Sequence, residues 1–167
     1  MKHWMQHFMA FTAILASLLL TACGTVRQTA QEKAEAKRMA REVAQKLDSR
    51  HYLIDIDYMI PMREAGRPVS LFSISVDDDA IDSYLPYVGQ ATMIPFDGGK
   101  GLTFQEKIAQ YTDSGFVGDL RTIVMHVQND EDNYVYTLEV YDNGTANLYV
   151  HSNNRDDISY RGALRLE

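Results

Sequence analysis

The sequence predicts an α+β protein, predominantly β, in which an N-terminal helix precedes a curved antiparallel meander of about eight strands. Three observations carry that expectation. Residues 24–50 are rich in Ala, Glu, Lys, Arg and Gln, good helix formers, whereas from His51 the apolar period changes from about 3.6 to about 2. Asn143-Gly144 sits between two alternating runs, a strong hairpin signal because both residues tolerate positive φ. Several second-face positions, Val124, Val135, Tyr141 and Tyr149, are also apolar. A flat sheet open to water would not favour them, so the sheet is expected to curl or to lie partly under the helix, with a closed barrel or a two-sheet sandwich as the alternatives.

Taken in order, Ala36, Ala40, Val43 and Leu47 form a thin apolar stripe near the end of the predicted helix, preceded by a polar spacer. Tyr52, Ile54, Ile56 and Tyr58 alternate with Leu53, Asp55 and Asp57 in the first strand, and Pro61 to Pro68 reads as a loop. Phe72, Ile74 and Val76 resume the alternation, Asp77-Asp78-Asp79 makes a turn, and Ile81 to Leu85 returns. A short strand over Ala91 to Ile94, a turn over Asp97 to Gly101, and a weaker strand over Leu102 to Tyr111 follow. Ile123 to Val127, Tyr134 to Val140, Ala146 to Val150, and Ile158, Tyr160, Leu164 and Leu166 then supply an up-and-down meander of four strands.

The start of the chain has a different logic. Lys2 and an apolar run from Phe8 to Leu20 have the charged start and apolar middle of a secretory signal peptide. The run is shorter than the roughly 20 residues a spanning helix needs. Leu20-Thr21-Ala22-Cys23 resembles the lipobox of bacterial lipoproteins, whose cysteine is acylated and becomes the first residue. The expected organisation is therefore residues 1–22 as signal peptide, 23–50 as lipid-anchored spacer and helix, and 51–167 as the β domain. Acylation at Cys23 would explain why the chain's only cysteine stands there, and it makes the membrane the first expected partner. Trp4, the only tryptophan, would leave with the signal peptide, so any carbohydrate platform would have to be built from tyrosine.

The 167 residues carry 16 Lys and Arg against 23 Asp and Glu, a net charge of −7, and loss of Lys2 makes the balance more negative. Nucleic acid is not an expected partner, since phosphate neutralisation needs clustered Lys and Arg. No catalytic residue, metal ligand set or cofactor motif is present: GxSxG, HExxH and CxxC are all missing, and the glycines at 98, 99 and 101 lack phosphate-loop spacing. A hydrolase would require His51, His126 or His151, or two carboxylates, to converge in a cleft. The acidic runs Asp77-Asp78-Asp79 and Asp130-Glu131-Asp132 read as solvated turns.

Two stretches combine aromatic, proline and polar groups at strand ends: Asp57 to Arg63, and Ser83 to Gly89. They yield a candidate binding rim of Asp57, Arg63, Tyr84 and Tyr87, with Arg155, facing a small ligand or an envelope protein. The plainer reading is that the prolines end strands while the tyrosines fill core with their hydroxyls at its edge.

Together with Gly101-Leu102-Thr103-Phe104 and the run from Asn143-Gly144 to Ser152-Asn153-Asn154-Arg155, these stretches resemble the Bacteroidetes lipoprotein family named domain of unknown function 4251, over the chain from about Leu47 on. The resemblance implies a Gram-negative envelope lipoprotein with a mostly β domain and brings no established activity. Glu64 stands where that family usually has glycine, and Val88 and Gln90 replace an aromatic and an arginine. Surface-exposed lipoproteins of that phylum carry an acidic run after the cysteine, and Gly24-Thr25-Val26-Arg27-Gln28 has none. Similarity to that pattern therefore implies an outer-membrane anchor with the domain facing the periplasm.

Overall fold

The computed structural model describes residues 29–92 and 101–167. The predicted signal peptide, Cys23, the end of the expected Ala91 to Ile94 strand and most of the Asp97 to Gly101 turn lie outside the described residues. A helix, α1, covers 29–48, and the chain divides into units at Arg38 and Met39. Residues 29–38 are helical and exposed throughout. Met39 to Glu167 holds the last helical turns and eight strands: β1 (His51–Pro61), β2 (Arg67–Asp77), β3 (Ala80–Leu85), β4 (Leu102–Val117), β5 (Leu120–Gln128), β6 (Asn133–Tyr141), β7 (Thr145–Ser152) and β8 (Ile158–Leu164).

Each strand pairs antiparallel with the next, and β8 returns to pair with β1. The meander is thus a closed barrel. Closure removes the exposed strand edges an open sheet would have presented. Gly162 permits the last pairing: a Cβ there would lie 1.8 Å from the Asp55 carbonyl oxygen.

Alternate residues of every strand point inward, and in an eight-stranded barrel side chains fill the interior. Ile54, Ile74, Ile123 and Leu138 are completely buried. Four buried tyrosines, Tyr52, Tyr134, Tyr136 and Tyr160, add bulk and bring hydroxyls that need partners. Tyr136 Oη lies 3.0 Å from Ser83 Oγ, which donates to the Leu102 carbonyl at 2.8 Å. The Tyr160 hydroxyl donates to the Pro86 carbonyl at 2.6 Å. Charged and hydroxyl-bearing residues occupy the outer wall, among them Asp55, Asp82, Lys107, Thr122, Glu139 and Arg161. A membrane-spanning barrel has the reverse arrangement, with an apolar wall toward lipid.

One end of the barrel is covered by the close of α1, where Val43 and Leu47 are fully buried and Met39 packs on the core. Val43 reaches the β6–β7 turn, with its Cγ2 3.7 Å from the position a Cβ on Gly144 would take. Charge reinforces this contact. The buried Arg121 guanidinium meets Asp113 through two nitrogens and donates to Asp48 Oδ1 at 2.7 Å. Arg50, at φ 56°, ends the helix, stacks 4.0 Å above the Tyr111 ring and accepts the Asp78 N–H on its carbonyl.

Four features of the strands differ from the sequence reading. A register shift at Asp57 turns the first strand over, so that Met59 and Pro61 point inward and Tyr58 lies outside beneath Arg161. Pro68 belongs to β2, near its start, where β3 does not reach and no ladder donor is required on that side. β4 extends to Val117, its alternation broken by irregularities between Ile108 and Gln110 and between Asp113 and Phe116. The last strand ends at Leu164, with Leu166 half-buried beyond it.

Candidate functional site

The barrel end opposite α1 is built from the β1–β2 loop, the segment after β3, the β5–β6 turn and the β7–β8 loop. Asp132 organises it from below. Its buried carboxylate accepts the backbone N–H groups of Asn133, Asn153 and Asn154 and the Ser152 hydroxyl. Asn129 Oδ1 accepts the N–H groups of Glu131 and Asp132, a local turn that asparagine favours. The two loops are therefore held by side chains that replace missing strand ladders.

Arg63, Tyr87 and Arg155 come together on this base. Arg63 Nε donates to Asp156 Oδ2 at 2.8 Å, and the Gln90 N–H donates to the same oxygen at 2.9 Å. These bonds hold the Asp156 carboxyl below the usual carboxylate range. The Tyr87 hydroxyl reaches the carbonyls of Gln90 and Asp156. Arg155 lies 5.6 Å over the Tyr87 ring and donates to Glu131 Oε2 at 2.8 Å, with both charged side chains nearly buried. An isolated bridge between Ala91 and Arg155 and a 2.8 Å bond from the Thr92 N–H to the Asn154 carbonyl complete the closure. A shallow cleft of about 220 Å3 remains between Arg63, Gln90, Thr92 and Asn154.

The donors of Arg63 and Arg155 are thus engaged with Asp156 and Glu131, and this rim reads first as a staple for four loops. Asp57 and Tyr84 stand elsewhere. Asp57 is the exposed residue at the β1 irregularity, and the exposed Tyr84 packs against Phe72 with ring centroids 5.2 Å apart and planes tilted by 34°. The sequence reading missed Asp156, Glu131, Asp132 and Gln90, because acidic and amide residues in such runs look the same whether they face water or tie loops together.

The histidines do not converge. His51 sits at the helix-covered end, its Nδ1 2.5 Å from Asp77 and its Nε2 3.6 Å from Asp78. The three are the described group best disposed toward a metal, yet they are exposed and address opposite edges of one imidazole, so a single ion could use only one of those nitrogens. His126 and His151 flank Val135 in the outer-wall register, two strand spacings or about 10 Å apart. No helix among the described residues is long and apolar enough to cross a membrane.

Comparison with known proteins agrees with this architecture. Residues 34–164 match the family described as Domain of unknown function (DUF4251). The chain belongs to that family. A crystal structure of a DUF4251 family protein from Bacteroides eggerthii DSM 20697 is similar to it, with a TM-score of 0.59 and 11% identity over 75% of this chain and 86% of that one. At that identity the DUF4251 likeness speaks for the fold alone. No curated protein matches the chain.

Proposed function

We propose that this DUF4251 protein is a lipid-anchored envelope component, tethered through acylated Cys23 at the outer membrane and facing the periplasm, that works as a non-enzymatic binding module. The observation that carries the reading is the barrel itself: its inside is occupied by its own side chains and its outside is mostly polar, with scattered apolar residues such as Val135 and Tyr149. A carrier needs a vacant concavity to enclose its ligand, so the filled interior favours recognition on the outer surface. Dispersed histidines weigh against the hydrolase alternative, which needs a base within reach of a nucleophile.

The test is a thermal-shift screen of the processed protein against envelope lipids, peptides, saccharides and proteins. A component at about 100 times its Kd adds about 2.7 kcal/mol, an increase in melting temperature of roughly 10 °C for a domain of this size. Silence throughout, or hydrolysis of any component, would refute the proposal.

A further inference from the structure

A second concavity, about 340 Å3 in volume, lies on the outer wall across β6, β7 and β8. Strand register sets two rows of side chains along it. Thr137, Tyr149 and Ser159 are directly opposed in one row, and Glu139, Asn147 and Arg161 in the next. The first row is a large aromatic between two small hydroxyl-bearing residues. Tyr149 therefore stands on a shelf with neighbours too short to cover it, and it is 41% exposed.

What separates this cleft from the rim is the state of its polar groups. Thr137, Glu139, Asn147 and Ser159 are half-buried, and their side chains make no hydrogen bond or ion pair among the described residues. Arg161 has one face toward Tyr58, 5.6 Å from the ring centroid, which leaves its N–H edges without a carboxylate. These side chains are open to solvent and committed to no neighbour, so their donors and acceptors can turn to a ligand without breaking a bond within the protein. At the rim, by contrast, the arginines already face Asp156 and Glu131.

The aromatic shelf is also held in place. The Tyr149 hydroxyl donates to Asp157, which His151 Nδ1 meets at 2.7 Å. The bond to Asp157 pushes the Tyr149 phenol up to about 12. Burial alone would raise the Asp157 carboxyl, but the bonds from Tyr149 and His151 outweigh it and keep the group below its ordinary value. A ring fixed before binding loses little entropy when a ligand stacks on it.

We propose that this cleft binds a neutral oligosaccharide, with one pyranose ring on the Tyr149 face and its hydroxyls on Glu139, Asn147 and Arg161. One carboxylate and one guanidinium with no net charge disfavour a simple anion. A zwitterionic peptide could address the same pair, but ion pairs in an open cleft contribute little, whereas stacking and shared hydroxyl bonds do not depend on a low dielectric. The inference deepens the binding-module reading and rests on it.

Calorimetric titration of the full processed protein, in a detergent without sugar headgroups, with cellotetraose and chitotetraose tests it. Saturable binding is expected, with Tyr149→Ala weakening it about tenfold and Tyr149→Phe, which keeps the ring, staying within about threefold. Glu139→Gln, which retains the shape of the side chain, provides the same test by loss of affinity if Tyr149→Ala does not fold. Absence of binding at millimolar saccharide, indifference to both Tyr149→Ala and Glu139→Gln, or preferential binding of trialanine would overturn the inference. If saccharides fail while another envelope component shifts the melting temperature, the cleft assignment falls and the binding-module reading stands; if nothing shifts it, both fall.

Discussion

Gly162→Ala tests whether closure between β8 and β1 holds the domain together. The new methyl would be placed 1.8 Å from the Asp55 carbonyl oxygen and 3.1 Å from Ile56 Cα. A carbon and an oxygen cannot approach that closely, so the strands must part by more than about 1 Å, and β1 is already hydrogen-bonded to β2 on its other side. Overpacking into a pinned backbone costs about 3 kcal/mol, which for a domain of this size is roughly 10 °C in melting temperature. Gly118→Ala supplies the comparison. Gly118 has φ +70° with nothing within 4 Å of the added methyl, so only the left-handed backbone penalty applies, about 1 kcal/mol. Thermal and urea unfolding followed by circular dichroism would measure both. A Gly162→Ala loss no greater than that of Gly118→Ala would refute the closure argument.

Other expectations come from the buried polar groups. Arg121→Met should cost about 3 kcal/mol in urea unfolding, since it strands the Asp113 carboxylate while the exposed Asp48 adds little. Burial alone would raise Asp113, but hydrogen bonds from Arg121 and the Gly115 N–H outweigh it and keep the group below its ordinary 3.8. Its stabilising contribution is therefore complete above the unfolded value and lost as pH falls through the folded one, so stability should drop below about pH 4 more steeply in the parent than in Arg121→Met. Burial raises the phenols of Tyr52, Tyr136 and Tyr160, so their contribution is complete below about pH 10 and lost at higher pH. Their phenolate absorbance should emerge only with unfolding, and ionisation of all 10 tyrosines with the circular dichroism intact would contradict the assignment. Ser83→Ala removes the Tyr136 hydroxyl's partner and should lower stability by about 2 kcal/mol, read from the urea midpoint.

Much of the barrel was legible because local patterns agree with it. Tyr134 to Val140 and Ala146 to Val150 alternate cleanly and do form a hairpin, but through a three-residue loop over 142–144 in which Gly144 alone takes positive φ and its N–H donates to the Tyr141 carbonyl, not the two-residue turn that Asn143-Gly144 suggests. Closure was open in the sequence because β1 and β8 meet across almost the whole domain, and the glycine that admits their approach looks like any other. The Asp57 irregularity was hidden for a similar reason: one extra residue reverses the inward face without disturbing composition. β4 was underestimated beyond Tyr111 because Asp113, Ser114 and Gly115 resemble a turn until their neighbours in β5 are known.

The candidate rim was legible in part. Arg63, Tyr87 and Arg155, chosen on strand-end chemistry, do come together at one end of the barrel, but the same reasoning selects Asp57 and Tyr84, which stand on the strands outside that cluster. Proline and tyrosine mark where strands stop, and only register decides toward which loop a side chain turns. Tyr149 drew attention as an apolar residue on an outer face, while the uncommitted groups beside it became visible only with cross-strand pairing.

The proposal that this barrel is held at a membrane and works through its outer wall is tested most directly by the intact mass of the native protein's N-terminal peptide. The account predicts a chain that starts at Cys23 and carries fatty acyl groups, extracted with the membrane fraction. A peptide that still begins at Met1, or one that carries Cys23 with an unmodified sulfur, would contradict it.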